Sequence, residues 1–154
     1  MRLTDILTPQ RIKAPLTATT KQGVIEELVD LLAANGDVTD RQRALQAVME
    51  RESTRTTGIG GGLAIPHGKC SGVKQLVMAI GLPTAPVDFE SIDGKGVNVV
   101  ILLVSPMDQT GPHIQALARI SRIMSIDAFR NKLVAAAGAE RIYQLIKDQD
   151  AEPG

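Results

Sequence analysis

The sequence predicts an α/β fold: a single layered domain with a mixed β-sheet flanked by helices. Three observations lead there. Two short apolar runs of β-rich composition, at 76–81 and 97–104, lie in the middle of the chain. The segments on either side repeat their apolar residues at helical spacing. No low-complexity linker or internal repeat divides the 154 residues, a length that suits one core. The domain is expected over 1–150, followed by a short polar tail at 151–154.

In chain order, Thr19 with Gln22 fits a capping box for a first helix, with Val24, Ile25, Leu28, Leu31 and Leu32 on one face. Asn35-Gly36 stops it. Thr39 with Gln42 opens a second, turning Ala44, Leu45, Val48 and Met49 inward and ending near Arg51. A short strand at 63–65 follows a glycine-dense loop, and the two apolar runs supply buried strands. Between these runs, Asp93-Gly94 signals a turn, with an edge strand at Val87-Asp88-Phe89. Pro112 suits a first helical turn, and Ile114, Leu117, Ile120, Ile123 and Met124 form the stripe behind it. Asp127 caps a further helix carrying Phe129 and Leu133 and ended by Gly138. Ile142, Leu145 and Ile146 mark a last helix before a polar stretch from Gln149.

Composition narrows the function. Lys plus Arg and Asp plus Glu both number 17, so no net basic field draws nucleic acid, and three aromatics make no base-stacking platform. One cysteine builds no intrachain disulfide, which fits a reducing compartment. With no apolar stretch of signal-peptide or membrane-spanning length, a cytoplasmic protein without membrane insertion is expected.

The chemistry centres on His67, one of only two histidines. It ends the run Gly58-Ile59-Gly60-Gly61-Gly62-Leu63-Ala64-Ile65-Pro66-His67-Gly68. Pro66 pushes Ile65 toward extended backbone, and Gly68 leaves open the side from which another molecule approaches. Neutral imidazole is a competent nucleophile at physiological pH, so a reactive histidine is weighed against an ordinary loop histidine. The glycines make no nucleotide loop. A Walker A motif fails at Leu63 and Cys70, and the dinucleotide fingerprint fails at Leu63 or Ile65.

His113 opens a predicted helix, where free N–H groups and the dipole favour an anion and keep an imidazole neutral. It is read as sharing a site with His67, against the alternative of a solvated helix-start residue. Arg51 and Arg55 could clamp an anion, although helix-terminal arginines are ordinarily solvated. Thr56 and Thr57 offer hydroxyls, Lys69 a local charge. His67 and Cys70 lack enough companions for zinc, so no metal and no cofactor is assigned. Asp88, Glu90 and Asp93 read as loop acids.

These residues carry a resemblance. Arg51-Glu52, Thr57-Gly58-Ile59-Gly60 and Ala64-Ile65-Pro66-His67-Gly68 resemble the type-2 enzyme IIA domain of the bacterial phosphoenolpyruvate-dependent sugar phosphotransferase system. The likeness is to the fructose and mannitol class with its nitrogen-regulatory paralogue. It continues through Val87-Asp88-Phe89, Ile92-Asp93-Gly94, Leu103-Val104-Ser105-Pro106 and His113-Ile114 with Leu117-Ala118, covering residues 1–150. Ile114 replaces the commoner leucine, and Gly61 stands where the regulatory branch often has Asn.

The resemblance implies that His67 accepts a phosphoryl group from the phosphorylated histidine carrier protein. It also implies that His113 assists in the same pocket and that Arg51 belongs to the site. Phosphorylation would then regulate a target protein; the alternative is onward transfer to a fructose- or mannitol-class IIB component. A chain with no fused IIB or membrane segment, and the Thr57-Gly58-Ile59-Gly60 run, favour regulation. A third reading is a non-catalytic interaction module.

Overall fold

The computed structural model describes residues 1–151. Six strands form one mixed sheet: β1 (Ile12–Leu16), β2 (Gly58–Gly60), β3 (Leu63–Ala64), β4 (His67–Lys69), β5 (Val77–Pro83) and β6 (Val99–Ser105). Five helices flank it: α1 (Lys21–Ala34), α2 (Arg41–Thr54), α3 (Thr110–Met124), α4 (Asp127–Ala135) and α5 (Ala139–Ala151). The predicted class is what is found.

The strand order is β1-β5-β6-β3-β2, with β4 also pairing with β6. β5 and β6 run antiparallel, whereas β1 on β5, and β3 and β4 on β6, are parallel. Both central strands are buried on both faces because their residues alternate between two cores. Met78, Ile80, Ile101 and Leu103 pack with α3, α4 and α5; Val77, Ala79, Val100, Leu102 and Val104 pack with α1 and α2.

β3 and β4 are one stretch of chain laid along β6 and interrupted by Pro66. Proline has no N–H to continue a ladder, yet its carbonyl accepts from Leu103 N at 3.1 Å, which keeps the register. β4 therefore places His67 beside Leu103, at the end of the sheet toward which β6 runs. The preceding turn needs its glycines: Gly61 and Gly62 have φ of 66° and 83°, the left-handed pair a two-residue hairpin demands. Gly68 is required for a different reason from access to His67. A Cβ there would lie 3.0 Å from Val48 N and 3.1 Å from Ala47 C, so it is α2 that presses on this side.

Several boundaries move. The α1 cap is Thr20, accepting from Gly23 N at 3.1 Å, in place of Thr19. Asp40 replaces Thr39 on α2, its carboxylate accepting from Arg43 N. α2 runs one turn past Arg51, to Thr54. Val87 makes only an isolated bridge to Val97 where an edge strand is predicted. Asp127 is the first residue of α4, with Ile126 at the cap, and α4 ends at Ala135, before Gly138. α5 continues through Ala151, beyond the polar start at Gln149; the rest of the expected tail, 152–154, lies outside the described residues. In α3 the buried face is His113, Ala116, Ile120, Ile123 and Met124, while Ile114 is 59% exposed, against its expected inward place. Residues 113, 116, 120 and 123 share one helical stripe, and that stripe meets the sheet.

Candidate functional site

His67 and Ile65 have the same parity on the extended chain, so the ring turns toward the α3 side of the sheet, where Ile65 is buried. There it meets His113. The two rings lie edge to face, with centroids 5.6 Å apart and planes at 60°. Both predicted histidines therefore converge from elements 46 residues apart in sequence. Arg51, Arg55, Thr56, Thr57 and His67 line one cavity of about 280 Å³, completed by Ile59, Ile65, Ile92, Leu117 and Ser121.

Hydrogen bonding assigns the His67 tautomer. Nδ1 lies 2.8 Å from the Ile65 carbonyl, which can only accept, so Nδ1 carries the proton. Nε2 then keeps its lone pair, and no described residue bonds to it. His113 Nδ1 lies 2.6 Å from Ser105 Oγ. His113 itself is buried, but Ser91 Oγ is the sole fully buried side-chain polar atom without a partner among the described residues. His113 Nε2 thus reaches the surface.

Both rings favour neutrality. Burial pushes the His67 pKa below its ordinary value, as does the Arg51 charge, while the Ile65 hydrogen bond and the Glu52 carboxylate oppose them. Burial pushes His113 down to about 4, with the charges of His67 and Lys69 adding to it. A histidine with a lowered folded-state pKa binds fewer protons than the unfolded chain between 6.5 and about 4. Its contribution to stability is complete above that window and is lost as pH falls through it. For His113 the loss is on the order of 3 kcal/mol. Urea unfolding of a His113→Gln protein is expected to show a shallower fall in stability from pH 7 to 4.5 than the parent shows.

The other candidates separate. Arg51 is partly buried and donates through Nη1 to the Arg55 carbonyl at 2.9 Å, so it borders the cavity while tying down the α2 end. Arg55, which pattern alone leaves as a solvated arginine, also lines the cavity. Lys69 Nζ sits 3.3 Å from Thr110 Oγ1, on the His113 side. Cys70 packs in the other core, with α1 and α2, and lines a separate cavity with Arg43 and Glu50. Asp88 and Asp93 serve their loops: Asp88 accepts from Glu90 N, and Asp93 from Lys95 N and Gly61 N. Among the described residues, no group of three or more His, Cys, Asp or Glu side chains is placed to hold a metal ion, and no helix is long and apolar enough to cross a membrane.

Two contributors escape a sequence reading. Ser105 orients His113 from the end of β6, and its only signal is its place in the Leu103-Val104-Ser105-Pro106 strand end. Glu52 is 4% exposed and bonds to Thr57 and Lys21; its signal is adjacency to Arg51.

A family described as "Phosphoenolpyruvate-dependent sugar phosphotransferase system, EIIA 2" matches residues 5–149. The chain belongs to this family. Its members are phosphoryl-carrier domains, which makes phosphotransfer the family-level activity. The chain is 34% identical over 150 residues to the fructose-specific EIIABC component of Bacillus subtilis, covering 97% of itself but 24% of that longer protein. It is 33% identical over 148 residues to the nitrogen regulatory protein of Pseudomonas aeruginosa, covering 96% of each. Among solved structures, the nitrogen regulatory protein IIA-Ntr of Neisseria meningitidis superposes with a TM-score of 0.81 at 29% identity, over 92% of this chain and 97% of that one.

Proposed function

We propose that residues 1–150 of this IIA-family chain form a phosphoryl carrier of the nitrogen-regulatory type, phosphorylated on His67 by the phosphorylated histidine carrier protein. The observation that carries this reading is the His67 tautomer: Nδ1–H is committed to Ile65, and Nε2 is free beside the cavity. The Nε2 lone pair attacks phosphorus in line, the new N–P bond forms, and the N–P bond to the carrier's imidazole breaks. The departing imidazole keeps that electron pair, and no proton has to move on His67.

Charge spread over the equatorial oxygens meets His113 Nε2–H, provided Ser105 donates its hydroxyl proton to His113 Nδ1. Arg51 supplies the cation. Exposed Ile59, Ile92 and Ile114 give an incoming protein apolar contacts around the cavity. The presence of nucleophile, second histidine and arginine together argues against a purely interacting module.

Likeness to nitrogen regulatory proteins along 96% of both chains supports regulation of a target protein by phosphorylation state. Identity of 34% to a fructose-specific component supports the second reading, onward transfer to a IIB partner. The deciding experiment mixes labelled phosphoprotein with membranes holding fructose- or mannitol-class IIB components and sugar. Regulation is expected to leave the label on protein; brisk appearance of sugar phosphate overturns it in favour of transport.

A further inference from the structure

We infer that Glu52 is a positioning residue for phosphoryl transfer: its buried carboxylate locks the Arg55-Thr56-Thr57 segment against the cavity beside His67. The inference rests on the assignment of His67 as the phosphorylated residue. Glu52 lies on the last turn of α2, immediately after Arg51, with its side chain 1% exposed. Oε1 accepts from Thr57 N at 3.0 Å and Oε2 from Thr57 Oγ1 at 2.7 Å. Thr57 thus donates both bonds, which fixes its backbone and its rotamer together.

Lys21, from the first turn of α1, pairs with Oε1 at 2.9 Å and lies over the Phe89 ring at 5.7 Å. A carboxylate removed from water needs such a counter-charge and full hydrogen bonding, and Glu52 has both. Thr56 joins the cluster by donating to the Phe89 carbonyl and accepting from Gly58 N at 3.0 Å. The cluster therefore holds the cavity wall through Thr56 and Thr57 and anchors it, through Lys21 and the buried Phe89, to the core shared with α1 and α2.

The carboxylate also acts on His67 electrostatically. The charged and titratable groups about that ring are Arg51 and Glu52 from α2, Arg55 just past its end and His113 from α3, with Lys69 of β4 beside His113. Arg51 lowers the His67 pKa and Glu52 raises it, so the pair offset one another at the nucleophile.

The test compares single-turnover labelling by phosphorylated carrier protein in four variants. Glu52→Ala is expected to slow the transfer step about tenfold to a hundredfold, with little change in the carrier concentration giving half-maximal rate. Glu52→Gln is expected to recover most of the rate, because an amide can accept from Thr57 N and donate to Thr57 Oγ1. Its acid limb in the pH–rate profile is expected to move to lower pH, since the field that raises the His67 pKa is gone. Thr57→Val, which removes one bond and leaves the carboxylate in place, is expected to slow transfer about threefold to tenfold and covers the case in which Glu52→Ala does not fold.

His67→Ala serves as the reference. Normal labelling of that protein removes the phosphorylated-residue assignment itself. If His67→Ala is silent, three results overturn the Glu52 inference alone: a folded Glu52→Ala or Thr57→Val protein at parental rate, a Glu52→Gln protein as slow as Glu52→Ala, or an unmoved acid limb in Glu52→Gln.

Discussion

A His67→Ala protein is expected to fold normally and to take up no phosphoryl group from phosphorylated carrier protein. The ring is half-buried at the cavity edge, and its one hydrogen bond among the described residues is to Ile65 two residues away, so little core packing depends on it. Loss of the covalent acceptor removes the intermediate outright, an effect comparable with the roughly 10⁶-fold losses seen when a nucleophile is deleted. His113 is not expected to substitute, because it is 4% exposed and its Nδ1 is engaged by Ser105. The measurement is the stoichiometry of acid-labile, base-stable label per chain, with thermal unfolding as the control for folding. Full labelling of the variant would place the phosphoryl group on another residue.

The layered architecture was legible where burial imposes a pattern. β5 and β6 are continuous apolar runs because each face meets a different set of helices. α1 shows its stripe because one face alone is buried. The short strands were less accessible. β2 and β4 are three residues each and rich in glycine, and they are strands because β3 and β6 bond to them. β1 contains Pro15, tolerable because β1 is the edge strand beyond β5.

At the site, His67 stood out through its own neighbours in sequence, whereas its partners depended on long-range placement. On apolar spacing alone, Ile114 competes with His113 for the inward face of α3; contact with the sheet end decides it. Glu52 reads as an unremarkable helical acid until Lys21, 31 residues earlier, is brought to 2.9 Å by the packing of α1 on α2. Such charges leave no periodic trace, because a single buried ion pair needs only one position on each helix.

His113→Ala is expected to slow phosphoryl transfer by about 10²–10³-fold while leaving binding of the carrier nearly unchanged. The ring lies edge to face with that of His67, and charge accumulates on the phosphoryl oxygens only during transfer, so its donor is expected to act on the transition state more than on the encounter complex. Its pKa of about 4 matters for the same reason. A ring held neutral by burial carries one N–H and no cationic charge to make the phosphorylated state too stable to pass its group on. His113→Gln is expected to recover part of the rate, because an amide keeps a donor near the same place. Ser105→Ala is expected to fall between parent and His113→Ala, since it frees the tautomer without removing the ring. Rapid-quench labelling against carrier concentration separates the two effects. A transfer step as fast in His113→Ala as in the parent would assign the oxygens' charge to Arg51 and the backbone, leaving His113 as buried packing beside His67.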